Sequence, residues 1–215
     1  MKKYSGIIFT VLLSMTMIVG CKKDGVKDYT AIIKNKTWWG QLTNPGETAQ
    51  YYSVYFKSDG NLVWSQRDAD YAGKWVVDGK QVTMDFPAIS VQIKADISDD
   101  NKLTNIVSSN SSIVTNANLI ANPTLRLDNT QWNGILVQSG GTSESFQLNF
   151  LTGAKVDGKV GSAGIGNVYT RSESGAVIRF TLGPYPFFAI ITTDKEMRGQ
   201  WKTFGSYYMW QTTLQ

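Results

Sequence analysis

The segment NKTWWGQL at 35–42 returns at 129–136 as NTQWNGIL, and the relation between these two stretches decides how the chain folds. Setting the chain against itself at an offset of 94 residues aligns Asn35 with Asn129, Trp38 with Trp132, Gly40 with Gly134 and Leu42 with Leu136. The match continues without a gap through Gly46/Gly140, Thr48/Thr142, Phe56/Phe150, Ala69/Ala163, Phe86/Phe180, Ala95/Ala189, Ile97/Ile191 and Asp100/Asp194, which makes 12 identities over positions 35 to 103. The count is thin, but the placement is informative. Between the identities, apolar character is kept at every second position: Tyr52, Val54 and Phe56 against Phe146, Leu148 and Phe150, then Val82, Met84 and Phe86 against Ala176, Ile178 and Phe180. Period two is one face of a strand, so the chain holds two copies of one β module.

In the first copy, alternating segments between turn residues predict eight strands at 37–42, 50–57, 61–67, 72–77, 80–86, 91–98, 102–108 and 112–120. The second copy repeats the series and ends with SYYMWQTTL at 206–214. Asp59-Gly60, Asp78-Gly79 and Ser174-Gly175 supply the positive φ that tight hairpins need. No stretch after residue 36 carries a helical period. Consecutive strands should therefore pair as an antiparallel meander, and eight of them can close and abolish their own edges. The expected fold class is all-β, with two tandem antiparallel up-and-down barrel modules at 37–120 and 129–215. The rival architectures are a β-sandwich and one barrel shared by the two copies. The joining stretch IANPTLRLDN at 120–129 is too short and too apolar for a flexible linker, so rigid packing of the modules is expected.

The start of the chain carries an address. Lys2 and Lys3 precede an apolar run from Ile7 to Val19, too short for a comfortable membrane span and followed by the small Gly20, which reads as a secretion signal. The only cysteine comes next. Ile18-Val19-Gly20-Cys21 resembles the bacterial lipobox, with an aliphatic residue three before the cysteine and a small one directly before it. That resemblance implies a signal peptide over 1–20, lipidation at Cys21 and a tether over 21–36. Several acyl chains on one residue anchor firmly, because each buried CH₂ contributes about 0.8 kcal/mol. Lys22 stands where inner-membrane retention in enteric bacteria would place Asp, and CKKDG is similar to the surface-export pattern of some Bacteroidetes lipoproteins. The outer membrane is implied, at the cell surface, with its periplasmic face as the alternative.

A second resemblance concerns the modules. NKTWWGQL, followed by YYSVYFKSDGNLVW at 51–64 and later by MRGQW at 197–201, looks like the small bacterial lipocalin-like lipoproteins. There an early Trp-x-Gly strand opens an up-and-down barrel, often behind a short helical turn such as YTAIIKN at 29–35 could form. The resemblance implies a lipocalin-like fold and a tendency to bind small or apolar ligands. It transfers no ligand-contacting residue.

Composition removes several kinds of chemistry. The chain of 215 residues has no histidine, which excludes His-based triads, His general acid/base catalysis and His-rich metal sites. Loss of residues 1–20 takes two lysines and no acid, so the formal charge of +4 becomes +2. No Lys/Arg run exceeds Lys22-Lys23, so nucleic acid is not an expected partner. Asp68 with Asp70, and Asp99 with Asp100, are the paired carboxylates that could bind Ca²⁺ or serve a hydrolase, yet Asp favours solvated turns and Asp100 recurs as Asp194. Neither a catalytic residue nor a metal or other cofactor is expected, and an enzyme is not.

Aromatic residues carry the functional expectation. Trp38 and Trp132 occur in both copies and read as core plugs at the barrel ends. Trp39, Tyr51 and Tyr55 occur only in the first, opposite Asn133, Ser145 and Asn149, and strand alternation turns them outward with Trp39 lying diagonally between the two tyrosines. They form either a platform for a sugar, a peptide or a partner protein, or the seam with the second module. Trp64, opposite Gly158, and Trp75, opposite Tyr169, point inward and either line a ligand cavity or fill a small barrel. The C-terminal Trp201, Tyr207, Tyr208 and Trp210 are core or a second contact surface. The expected function is a lipid-anchored envelope protein that captures a small apolar or sugar-like ligand. The alternatives are an accessory lipoprotein packed against another envelope component and, third, a carboxylate hydrolase.

Overall fold

The computed structural model describes residues 27–67, 69–138, 141–160, 163–203 and 206–215. A short helix α1 (Tyr29–Ile33) leads into β1 (Lys36–Thr43), β2 (Gln50–Phe56), β3 (Asn61–Gln66), β4 (Ala69–Asp78), β5 (Gln81–Phe86), β6 (Val91–Ile97), β7 (Lys102–Ser108), β8 (Ile113–Val114) and β9 (Ala117–Leu119). These strands form a ring in chain order, because β1 pairs both β2 and the two-piece last strand, β8 with β9. The second copy runs through β10 (Thr130–Gln138), β11 (Ser143–Leu151), β12 (Lys155–Val160), β13 (Ala163–Arg171), β14 (Val177–Leu182), β15 (Tyr185–Thr193), β16 (Glu196–Thr203) and β17 (Ser206–Leu214), and it too is closed, β17 on β10. Each copy therefore builds its own eight-stranded up-and-down barrel. A sandwich and a shared barrel are both ruled out.

The repeated residues now have physical reasons. Asn35 and Asn129 both adopt the left-handed conformation, at φ 58° and 61°, and swing the chain into the first strand of each barrel. Trp38 and Trp132 are fully buried, as are Phe56 and Phe150. The ring of Trp75 meets Phe56 edge-on at 5.6 Å, and Tyr169 meets Phe150 the same way at 5.2 Å, so the two copies keep one aromatic contact with different residues. Ile33, at the end of α1, and Leu127, 94 residues later, are both fully buried plugs of the entry end. Asp28 caps α1 by accepting from the Ala31 N–H at 3.2 Å.

Two register breaks in the first barrel matter later. From Asp96↔Thr104 to Lys94↔Val107 the pairing of β6 with β7 gains one residue, and the extra residue sits at Asn105, φ 49°. A second break separates β8 from β9, where Thr115 bridges to Gln41 through its own N–H and hydroxyl. The predicted strand at 112–120 is thus one strand with a bulge.

The barrels pack side against side. Tyr51, Ile120, Ala176, Val177, Phe188 and Ile190 form a buried cluster between them, with Trp39 and Met209 packed on it. Around that cluster the Tyr51 N–H donates to Gln200 Oε1 at 2.7 Å, Arg179 forks onto Asp70 at 2.7 and 3.2 Å, and Lys57 meets Glu173 at 2.6 Å. Arg171 holds the joining segment against the second barrel, donating to the carbonyls of Pro123 (3.2 Å), Leu125 (2.6 Å) and Gly175 (2.7 Å). Burial lowers its pKa, yet from so high a start that it stays a cation. Arg171→Met leaves those carbonyls without their charged donor. We expect a loss of about 2 kcal/mol in urea unfolding and faster proteolysis within 121–128; an unchanged midpoint would show that water replaces the clamp.

Candidate functional site

The two ends of the first barrel differ. One is closed by α1, and the β6–β7 turn lies beside it, with Lys27 Nζ 2.6 Å from Asp99. At the other end, where β1, β3, β5 and β7 finish, lies a cavity of about 360 Å³. That is within the size range of small-molecule sites. Its floor is apolar: Leu42, Trp64, Phe86 and Ile93, all buried. Trp64 is held in place by Tyr52, stacked on it at 4.1 Å and 6°, and by the edge contact with Phe86 at 6.0 Å. The rim is polar and neutral, from Asn44, Gln66, Ser108, Asn110 and Ser112.

The second barrel explains why the first has room. At its corresponding end, Trp201 stacks on Phe187 (5.1 Å, 6°), Tyr185 meets Trp201 edge-on at 4.7 Å, and Phe187 stacks in turn on Phe180 and Phe146. The 94-residue offset maps Tyr185 to Val91 and Phe187 to Ile93. Trp201 pairs with Phe187, and Ile93 pairs with Ser108. Three large rings of one barrel are therefore Val91, Ile93 and Ser108 in the other, all on the cavity wall. The bulge at Asn105 gives Ser108 its place opposite Ile93. Without that extra residue, Val107 would pair with Ile93; as folded, it is 66% exposed outside.

The expected site residues separate into three places. Trp64 faces inward opposite Val54 and lines the cavity. Trp75 is inward too, but toward the closed end, where its indole N–H donates to the Lys57 carbonyl at 3.1 Å and its ring packs on Phe56; it does not meet Trp64. The outward set has the predicted arrangement, with Trp39 opposite Ser53 and so between Tyr51 and Tyr55. It lies along the seam between the barrels, with Tyr51 buried and Trp39 and Tyr55 half-buried. Tyr51 is 6% exposed in the seam, Trp39 lies 6.2 Å from it under the Arg198 guanidinium, and Tyr55 lines a crevice between the barrels with Ser53, Ser65 and Glu173.

The carboxylates are paired with cations. Asp99 and Asp100 sit in the β6–β7 turn, Asp99 with Lys27 and Lys80 and Asp100 with Lys102. The Lys102 and Ser98 hydrogen bonds bring the Asp100 carboxyl down to about 2, so it is an anion at any physiological pH. Among the described residues no group of three His, Cys, Asp or Glu could hold a metal ion. Asp68 and Cys21 lie outside the described residues. What the sequence reading missed was the wall of Val91, Ile93 and Ser108; for Val91 and Ile93 the signal was available, as smaller residues standing where the second copy has Tyr185 and Phe187.

No family profile matches the chain, and no curated protein matches it. Among solved structures, a DUF3598-family protein of unknown function from Nostoc punctiforme shares 9% identity over 82% of this chain and 94% of its own, with a TM-score of 0.32. That likeness is too loose to carry a function.

Proposed function

We propose that this chain is a lipid-anchored envelope protein whose first, lipocalin-like barrel captures a small apolar ligand at its mouth, while the second barrel is a filled support. The observation that carries this reading is the emptying of one copy: Val91, Ile93 and Ser108 leave about 360 Å³ where the other copy has Tyr185, Phe187 and Trp201. A purely structural pair of barrels has no need for that difference. Capture rests on apolar burial, about 25 cal/mol per Å², against a floor already ordered by the Tyr52–Trp64 stack. The anchor rests on the lipobox-like Ile18-Val19-Gly20-Cys21. Lys27, six residues after Cys21, stands at the closed end of the barrel, so the mouth opens on the side away from the tether. A ligand would then arrive from the surrounding medium rather than from the membrane that holds the protein.

Two measurements test this. Native mass spectrometry of residues 22–215, compared with the denatured sample, should reveal an added mass that is lost on denaturation; a clean mass that stays clean after exposure to an envelope lipid extract would sink the capture reading. Metabolic labelling with an alkyne fatty acid should mark the full chain and not Cys21→Ser, which is expected in the soluble fraction. Equal labelling of both would remove the anchor.

A further inference from the structure

We propose that the mouth cavity selects an uncharged ligand, an apolar body ending in one hydrogen-bond acceptor such as a hydroxyl, ketone or ester oxygen. This rests on the capture reading above and adds the ligand's class. None of the 13 residues lining the cavity is Lys, Arg, Asp or Glu. Arg67, next to Gln66 on the rim, is already engaged within the protein. An acid stands behind the rim: Glu47 Oε2 accepts from Asn44 Nδ2 at 3.0 Å and from Gln50 Nε2 at 3.3 Å.

The rim's own hydrogen bonds show what is left for a ligand. Trp64 Nε1 donates to Gln66 Oε1 at 3.1 Å, which occupies the Gln66 oxygen and leaves its NH₂. Asn110 Oδ1 accepts from Ser108 Oγ at 2.7 Å and from the Ser112 N–H at 3.1 Å, which again leaves an NH₂. The Ser112 hydroxyl donates its proton to Asn44 Oδ1 at 2.9 Å. The donors left on Gln66 and Asn110 are therefore neutral amide NH₂ groups, beside the neutral hydroxyls of Ser108, Ser112 and Tyr71, and the two amides favour an acceptor on the ligand. A carboxylate could accept the same bonds. Its net charge would nevertheless be buried beside an apolar floor with no cation among the lining residues and with Glu47 behind the rim, and an unpaired buried charge is far costlier than a paired one. An ammonium group would meet only neutral oxygens on this rim, with no carboxylate on the cavity wall to answer its charge.

The test is competition for the neutral fluorophore N-phenyl-1-naphthylamine on the 22–215 protein, with 1-decanol, decanoate and decylamine at pH 7.5. We expect 1-decanol to displace it at least tenfold more effectively than either charged analogue. Decanoate should gain on the alcohol as the pH falls through the carboxylic-acid range, because protonation makes it neutral. Equal competition by all three, or preference for either ion, overturns the selectivity while leaving the cavity a binding site. Failure of the fluorophore and of all three probes to bind overturns both this inference and the capture reading. Gln66→Leu serves as the positional control: it should cut 1-decanol affinity several-fold without weakening the fluorophore, and an unchanged alcohol affinity would remove the acceptor requirement.

Discussion

Gly134→Ala is expected to open the second barrel, whereas Gly40→Ala leaves the first one closed. The two glycines are equivalent by the repeat, and the difference lies in what surrounds them. A Cβ on Gly134 would come 1.9 Å from the carbonyl oxygen of Gln211 and 2.7 Å from the Cα of Thr212. Both are backbone atoms of β17, the strand that closes on β10 by pairing Gly134 with Thr212. No rotamer change relieves that overlap, so the strands must part along the seam of closure. A Cβ on Gly40 would meet the ring end of Tyr52 at 2.9 Å, a side chain that can tilt. We expect Gly134→Ala to lose about 3 kcal/mol or more, with dye-binding surface exposed in the absence of denaturant, and Gly40→Ala to lose about 1 kcal/mol. Urea unfolding of the two variants decides it, and equal losses would mean that β17 shifts as easily as a tyrosine ring.

The double variant Ile93→Phe with Ser108→Trp should abolish ligand capture without unfolding the protein. It copies into the first barrel the pair that occupies the second, where Phe187 and Trp201 stack in parallel at 5.1 Å. Ile93 and Ser108 are cross-strand partners, as Phe187 and Trp201 are, so the new rings would enter the same space that is now open. The expected result is at least a hundredfold loss of affinity for N-phenyl-1-naphthylamine with a thermal midpoint at or above that of the parent, since filling a cavity restores contacts. Retained binding would place the ligand elsewhere. A collapse of stability would mean that the first barrel has no room for rings of this size.

Much of this architecture was legible in the residues. Strand alternation and the 94-residue offset located both modules, because a buried face must keep its apolar side chains at period two. Asn35 and Gly40 were visible only as identities; their reasons, a left-handed backbone and a strand-on-ring approach, needed coordinates. The outward turn of Trp39 and Tyr51 was legible as well. Alternation tells which face a side chain takes and is silent on what covers that face, so the seam, with Tyr51 against Phe188 and Ile190, could be written only as one of two readings. The cavity was harder. Ser108 reaches its wall through a single inserted residue at Asn105, and the gapless alignment set Val107, not Ser108, against Trp201. A lone bulge leaves no apolar signature, because it changes register without changing composition.

The closure of the second barrel by its last strand sets a timetable for the growing chain. The first barrel is complete in sequence just after β9, and nothing after Ile120 is needed to pair its strands. The second cannot seal until residues 206–214 have emerged, because β17 must reach back to β10 across almost the entire module. Until then β10 and β16 are bare edges, β10 with Trp132, Ile135, Leu136 and Val137 along it, the kind of surface on which chains pair with one another. A chain cut short by those nine residues would carry a finished first barrel and an unsealed second one. Its fate is that of an aggregate or a protease substrate, even though the cavity lies wholly in the finished part.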